Sequence, residues 1–175
     1  MAVTNQPTNR NYLSPLGYKF VLSRAPNVEY FVQRVTLPGV NLPATSSPNP
    51  FVKIPLPGDH LDYDTLQITF KVNENLDNYL EIYNWMVSLG KPEKFSQYDL
   101  QNRPYRSLSD QTDTVVSDIT VTILSSAMNA NIEFNMRDCF PVTLSSLDMD
   151  STLTDVEYLE ATASFAVRDF TISRI

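Results

Sequence analysis

The chain has one cysteine, one histidine, one tryptophan and four glycines among its 175 residues. Each scarcity excludes something. A lone Cys139 cannot close an intramolecular disulfide, nor supply a cysteine-based zinc site. A lone His60 leaves one imidazole for any Ser–His–Asp or Cys–His arrangement and rules out a multi-histidine metal centre. With four glycines and no GxxxxGK[ST], GxGxxG or GxSxG, there is no loop built to cradle phosphate. Positive charge is also short: 13 Lys and Arg against 20 Asp and Glu give −7, and no two basic residues are adjacent. A protein that grips nucleic acid by neutralising phosphates carries the opposite balance. No apolar run approaches the ~18–20 residues that span a bilayer. The opening MAVTNQPTNRNYLSP lacks the apolar core of a signal peptide. Synthesis in a reducing cytoplasm and no membrane insertion are therefore expected.

What remains is β-type material. Hydrophobic residues make up 42% and charged residues 19%, with Thr, Ser, Asn, Tyr and Val abundant. A chain of this length buries roughly 70% of its unfolded surface, enough for one core. We expect a flexible Asn/Thr/Pro-rich arm over 1–15 and a single domain over 16–175.

Tyr18, Phe20 and Leu22 alternate with smaller or polar residues, and so do Phe31, Gln33, Val35 and Leu37. These two segments read as a hairpin turning near Pro26. Residues 40–61 hold Pro43, Pro48, Pro50, Pro55 and Pro57 and read as a long extended loop. The clearest strand carries Leu66, Ile68, Phe70 and Val72 on one face. A helix follows over about 75–90, with Asn75 as N-cap, Asp77 in the first turn, and Gly90 with Pro92 as the stop. A polar loop is expected over 91–112. Strands resume with Ile119, Val121 and Ile123, then with Ile132, Phe134 and Met136, whose strand Pro141 should limit. The last strand carries Leu159, Ala161, Ala163, Phe165 and Val167 on one face. Its apolar parity then switches to Phe170 and Ile172, as a bulge near Arg168–Asp169 produces.

The helix is the informative element. Asp77, Glu81, Asn84 and Ser88 fall in a polar stripe of roughly 60°, and the rest of its circumference is apolar apart from Asn78. One apolar side, Tyr79, Leu80, Tyr83, Met86 and Val87, is expected on the subunit's own sheet. Ile82, Trp85 and Leu89 are expected to contact a neighbouring subunit or a long loop. Chemistry has little to stand on. His60 with Asp59, Asp62 and Asp64 reads as a solvated turn. Asp148, Asp150 and Asp155 lack the glycine and terminal glutamate of a calcium loop, and Cys139 reads as a small buried hydrophobe. No cofactor, metal site or catalytic residue is expected.

Three segments carry a resemblance. EYFVQRVTLPGVNLP resembles the strand-plus-LPG signature of contractile-phage, T4-like tail tube proteins. LDYDTLQITFKVNENLDNYLEIYNWM resembles their strand, corner and Trp-ended helix. FNMRDCFPVTLSSLDMDSTLTDVEYLEATASFAVRDFTI resembles their closing half. The resemblance implies a mainly β fold, a β-sandwich or barrel with one flanking helix. It also implies a structural virion protein without enzyme activity, assembled as six-fold rings round a DNA channel. Its partners would be copies of itself and adjacent tube, sheath or baseplate proteins. It fits a main tube, a tube initiator at the baseplate or a terminal ring alike.

In such a ring the polar strand faces would line the lumen. The candidates are Thr65, Gln67, Thr69 and Lys71, then Asp118, Thr120 and Thr122, then Glu160, Thr162 and Ser164. With one cation against two carboxylates, this wall would let DNA pass without holding it. Two alternatives accompany this reading. One is a tube subunit of a related contractile injection or secretion system. The other is a monomeric carbohydrate-binding β-sandwich using Trp85 and the nine tyrosines, against which the placement of the most prominent aromatics on the helix counts.

Overall fold

Two four-stranded antiparallel layers share one long strand, and a helix lies against the second layer. The computed structural model describes residues 11–48, 50–90, 116–152 and 158–175. The loop expected over 91–112 and the first ten positions of the arm lie outside the described residues. In chain order the described elements are β1 (Tyr18–Leu22), α1 (Pro26–Phe31), β2 (Val32–Thr36), β3 (Val40–Asn41) and β4 (Ala44–Ser47). Next come β5 (Ile54–Pro57), β6 (Asp62–Tyr63), β7 (Leu66–Lys71) and α2 (Asp77–Gly90). The chain closes with β8 (Ser117–Leu124), β9 (Ala130–Leu144), β10 (Glu160–Ala166) and β11 (Asp169–Arg174).

Sheet one runs β1-β8-β9-β11, and sheet two runs β9-β10-β7-β2. Strand β9 belongs to both because its 15 residues are long enough to serve twice. Its first part pairs with β8 and β11, and its last part, from Phe140, pairs with β10. The change of sheet falls at Asp138, whose φ of 50° lies in the left-handed region. The Asp138 amide donates to Asp118 Oδ1 at 3.0 Å, and its carboxylate pairs with Arg168. Arg168 stands opposite, in the interval between β10 and β11, and its amide donates to the Arg137 carbonyl at 3.3 Å. The parity switch of the last strand is therefore this shared corner. Strand β9 runs on past Pro141, which the sequence takes as its limit. Pro141 is opposite Phe165 on an edge of sheet two, where a missing N–H costs no ladder bond.

The inner faces meet in one core. Sheet one contributes Phe20, Leu22, Ile119, Val121 and Met136, and sheet two contributes Leu66, Ile68, Phe70, Ala161, Ala163 and Phe165, all buried. Each large side chain among them stabilises the fold by about 1.5–3 kcal/mol relative to exposure. The Asn78 amide donates to the Lys71 carbonyl at 2.7 Å, Tyr79 Oη donates to the Ser145 carbonyl at 3.0 Å, and Trp85 lies 5.9 Å from the Phe165 ring. These contacts lay α2 against sheet two.

Two local expectations are corrected. Helix α2 begins at Asp77 after Leu76, whose φ is 61° and whose carbonyl accepts from the Leu80 amide; Asn75 is not the cap. The residues around Pro26 are not a hairpin turn. They form α1, with proline in the first helical turn, where its missing N–H is harmless. Strands β1 and β2 therefore never pair: β1 joins β8, and β2 joins β7.

The Pro-rich stretch is a correction of another kind. It is not an irregular loop but the distal part of the β2–β7 hairpin. Thr36 faces Gln67, Val40 faces Tyr63, Asn41 faces Asp62 and Ala44 faces Pro57, so one two-stranded ribbon continues outward from sheet two. Two glycines permit its close strand contacts. A Cβ on Gly58 would stand 2.4 Å from the Pro43 carbonyl oxygen, and one on Gly39 would stand 2.6 Å from Asp64 Oδ2.

Candidate channel wall and contact surfaces

Because both sheets turn their apolar faces to one core, their polar faces look away from each other. The ten wall candidates divide accordingly. Gln67, Thr69 and Lys71 stand opposite Ser164, Thr162 and Glu160 across β7 and β10, on the outer face of sheet two, with exposed Thr65 just before β7. The Thr69 and Thr162 hydroxyls are 3.4 Å apart, and Thr143 on β9 bonds to Ser164. Asp118, Thr120 and Thr122 lie instead on the outer face of sheet one. There Thr120 donates to Asn135 at 3.0 Å and Thr122 faces Glu133. A single wall cannot use both groups, so the expectation of one ten-residue lining is corrected to two separate faces.

The structure adds Arg34 and Thr36 of β2, opposite Thr69 and Gln67, and Thr143 to the sheet-two face. The sequence marks them as polar alternates but carries no signal of which strands are neighbours. The charged groups named on this face are then Arg34, Lys71 and Glu160. Lys71 Nζ sits 4.7 Å from the centre of the Tyr158 ring. Uncharged hydroxyl and amide groups fill the middle of the face.

Both apolar sides of α2 reach the chain's own core: Tyr79 and Met86 pack against it, and so do Ile82, Trp85 and Leu89, which the sequence places against a neighbouring subunit or a long loop. Ile82 and Trp85 are 0% and 3% exposed and belong to the subunit's own core, with Leu89 packed against it. Leu80 and Tyr83, expected inside, are 43% and 50% exposed. The indole of Trp85 packs inward, 5.9 Å from the Phe165 ring. The Arg24 guanidinium covers the indole at 4.7 Å. Ser88, read as part of the solvent stripe, is buried with its hydroxyl donating to the Trp85 carbonyl at 2.7 Å. Glu81 ties α2 to α1 by accepting from the Asn27 amide and side chain at 3.2 and 2.7 Å. Desolvation raises its pKa, and the Asn27 side-chain hydrogen bond opposes the rise.

Sheet edges and clefts make up the remaining surface. Among the described residues the outer edges of β1 and β2 have no strand partner, and the Leu22 amide on β1 donates to Glu29 Oε2 at 3.2 Å. Between these strands lies an apolar slot of about 170 Å³, bounded by Tyr18, Val35, Leu37, Val121 and Ile123 with Leu13 beside them. A more polar cleft of about 460 Å³ lies by Lys19, Glu29 and Tyr30.

Chemically reactive groups do not converge. Among the described residues no three His, Cys, Asp or Glu side chains are placed to hold a metal ion. Asp62 sits in β6, so the stretch around His60 is part of the ribbon rather than a free turn. Cys139 is buried, and desolvation, followed by the charge of Asp118, pushes its thiol from 9.0 up to about 12. No described helix is long and apolar enough to cross a membrane.

The described residues form a mainly β unit with exposed strand edges, a projecting ribbon and broad polar faces. The phage tail tube protein family model matches residues 3–173, and the chain belongs to that family. No curated protein sequence matches it. Among solved structures it is similar to the tube-terminating cap of the anti-feeding prophage (TM-score 0.59, 15% identity, 100% of both chains). It is also similar to a chain of that particle's baseplate (TM-score 0.57, 12% identity, 89% of this chain and 90% of the other). A third similar chain comes from the sheath–tube complex of an extracellular contractile injection system, PVC, in the extended state (TM-score 0.56, 13% identity, 95% and 94%). At these identities the likeness establishes the fold, a mainly β tail-tube-type fold.

Proposed function

We propose that the chain is a ring-forming structural subunit of a contractile phage tail tube, or of its baseplate-proximal or terminal ring, and that DNA passes through the ring. The observation that carries this reading is the family match over nearly the whole chain. The sheet-two face supports it. That face presents mostly hydroxyl and amide groups. Its named charges, Arg34 and Lys71 against Glu160, leave one net positive charge per subunit in place of the acidic balance of the sequence set. A wall made from it neutralises few phosphates, and drag on a moving duplex stays small. The edges of β1, β2 and β11 that have no strand partner among the described residues can pair between subunits, which hides them from uncontrolled association, and a closed six-fold ring ends that growth in its plane. The subunit is then a virion component without enzyme activity, organised as one domain. Its neighbours are copies of itself and tube, sheath or baseplate proteins.

The likeness to the anti-feeding prophage cap over the full length of both chains favours a second reading, a subunit of a related contractile injection system. Two measurements test the proposal. Electron micrographs of the purified protein should show rings or stacked tubes. Duplex DNA should show no measurable binding near physiological salt. Sub-micromolar binding with a steep salt slope refutes the conduit, and a concentration-independent monomer in light scattering refutes the ring.

A further inference from the structure

We propose that Glu29 guards the outer edge of β1: by holding the Leu22 amide it stops another strand from running the length of that edge. The inference goes beyond the ring reading and does not rest on it.

Antiparallel alternation decides which groups the edge presents. The Leu124 amide donates to the Gly17 carbonyl, so Gly17, Lys19 and Val21 exchange backbone bonds with β8. Tyr18, Phe20 and Leu22 therefore turn their backbone groups outward, to a side with no strand partner among the described residues. An open cleft of about 460 Å³, lined by Tyr18, Lys19, Phe20 and Glu29, leaves this side within reach of another chain. Such an edge is a template for uncontrolled pairing.

The chain closes the far end of the edge on itself. The Leu22 carbonyl accepts from the Ala25 amide at 3.1 Å, and the Ala25 carbonyl accepts from the Glu29 amide at 3.2 Å. These bonds turn the backbone into α1 and bring the Glu29 carboxylate back to β1, where Oε2 accepts from the amide of Leu22, seven positions earlier, at 3.2 Å. Both backbone groups of Leu22 are then occupied. A strand arriving here would have to displace a carboxylate with a carbonyl, and a bond to an ionised acceptor is about twice as strong as one to a neutral group. Pairing is thereby confined to Tyr18 and Phe20. Lys19, exposed in the middle of β1, adds a charge of the kind that discourages strand addition.

Hydrogen exchange and association of the full-length chain test this. In Glu29→Ala the Leu22 amide should exchange about tenfold faster, as loss of a hydrogen bond to a charged group implies, while the Val21 amide keeps its parent rate. Glu29→Gln still offers a carbonyl oxygen and should keep Leu22 protected. Glu29→Ala should form irregular, thioflavin-T-binding aggregates at concentrations where the parent and Glu29→Gln form none. Asn27→Ala controls for lost stability, because it gives up the side-chain bond to Glu81 and leaves the edge closed. An unchanged Leu22 rate in Glu29→Ala overturns the guard. So does Glu29→Ala aggregating no more than Asn27→Ala at the same interval below its melting temperature, or Glu29→Gln aggregating like Glu29→Ala. Micrographs of the parent decide the ring reading separately.

Discussion

Trp85→Ala separates a folding role from an assembly role at the residue where sequence and structure differ most. The indole is 3% exposed, stands 5.9 Å from the Phe165 ring and is covered by the Arg24 guanidinium at 4.7 Å. Truncating a buried Trp to Ala costs about 3–5 kcal/mol, the transfer energy plus the cavity left behind. Phe165 cannot move to close that cavity, because its strand is fixed between β7 and β9. Against a total stability of about 5–15 kcal/mol, the loss is a large fraction of the fold. With a urea dependence of ~2–3 kcal/mol/M, the midpoint should fall by about 1.5 M. Circular dichroism is the assay, since the substitution removes the chain's one tryptophan. Tyr83→Ala is the comparison: at 50% exposure it should move the midpoint by less than ~0.3 M. A Trp85→Ala protein that melts like the parent but fails to assemble would refute the inward placement of this face.

Two further outcomes follow from the corner of β9. The Cys139 thiol, held up to about 12 by burial, should resist maleimide at pH 8 in the native protein and react fully in denaturant, as a mass-spectrometric time course would show. Because folding favours the neutral thiol, its contribution to stability is complete below the ordinary 9.0 and lost as pH climbs toward about 12. Asp138→Val should destabilise by about 1–2 kcal/mol, since a β-branched residue is poorly suited to a φ of 50°. Asp138→Gly should change stability by less than ~1 kcal/mol, because relief of the backbone offsets loss of a partly exposed ion pair with Arg168. Thermal melts of the two variants give the ordering, and Val at least as stable as Gly would contradict the left-handed corner.

Strands that bury one face were legible, because period-two alternation survives wherever a core lies on one side. Leu66, Ile68 and Phe70 show it, as do Ala161, Ala163 and Phe165. The parity switch after Val167 was legible for the same reason, since a bend in a strand must reset which residues face inward. Pairing was not. Nothing in YKFVL names β8 as its neighbour, 95 positions or more along the chain, and a local hairpin is the natural guess until Pro26 is taken as the first turn of a helix. The wall candidates suffered likewise: each polar face was read correctly strand by strand, yet assigning them to one surface required knowing which sheet each strand joins.

Helix α2 and the ribbon show two deeper limits. An amphipathic helix orients itself by the contrast between its faces, and α2 has apolar groups on both. The deciding partners lie on other elements, the Phe165 ring and the Arg24 guanidinium, which Trp85 meets while Leu80 and Tyr83 turn outward. In the ribbon, five prolines argue against a central strand, and that inference holds. It does not exclude a strand that is all edge. In a two-stranded ribbon each strand has one side facing solvent, so a proline whose nitrogen points there costs no hydrogen bond. The same prolines that hide this element from a reader of the sequence also limit pairing along one side of it.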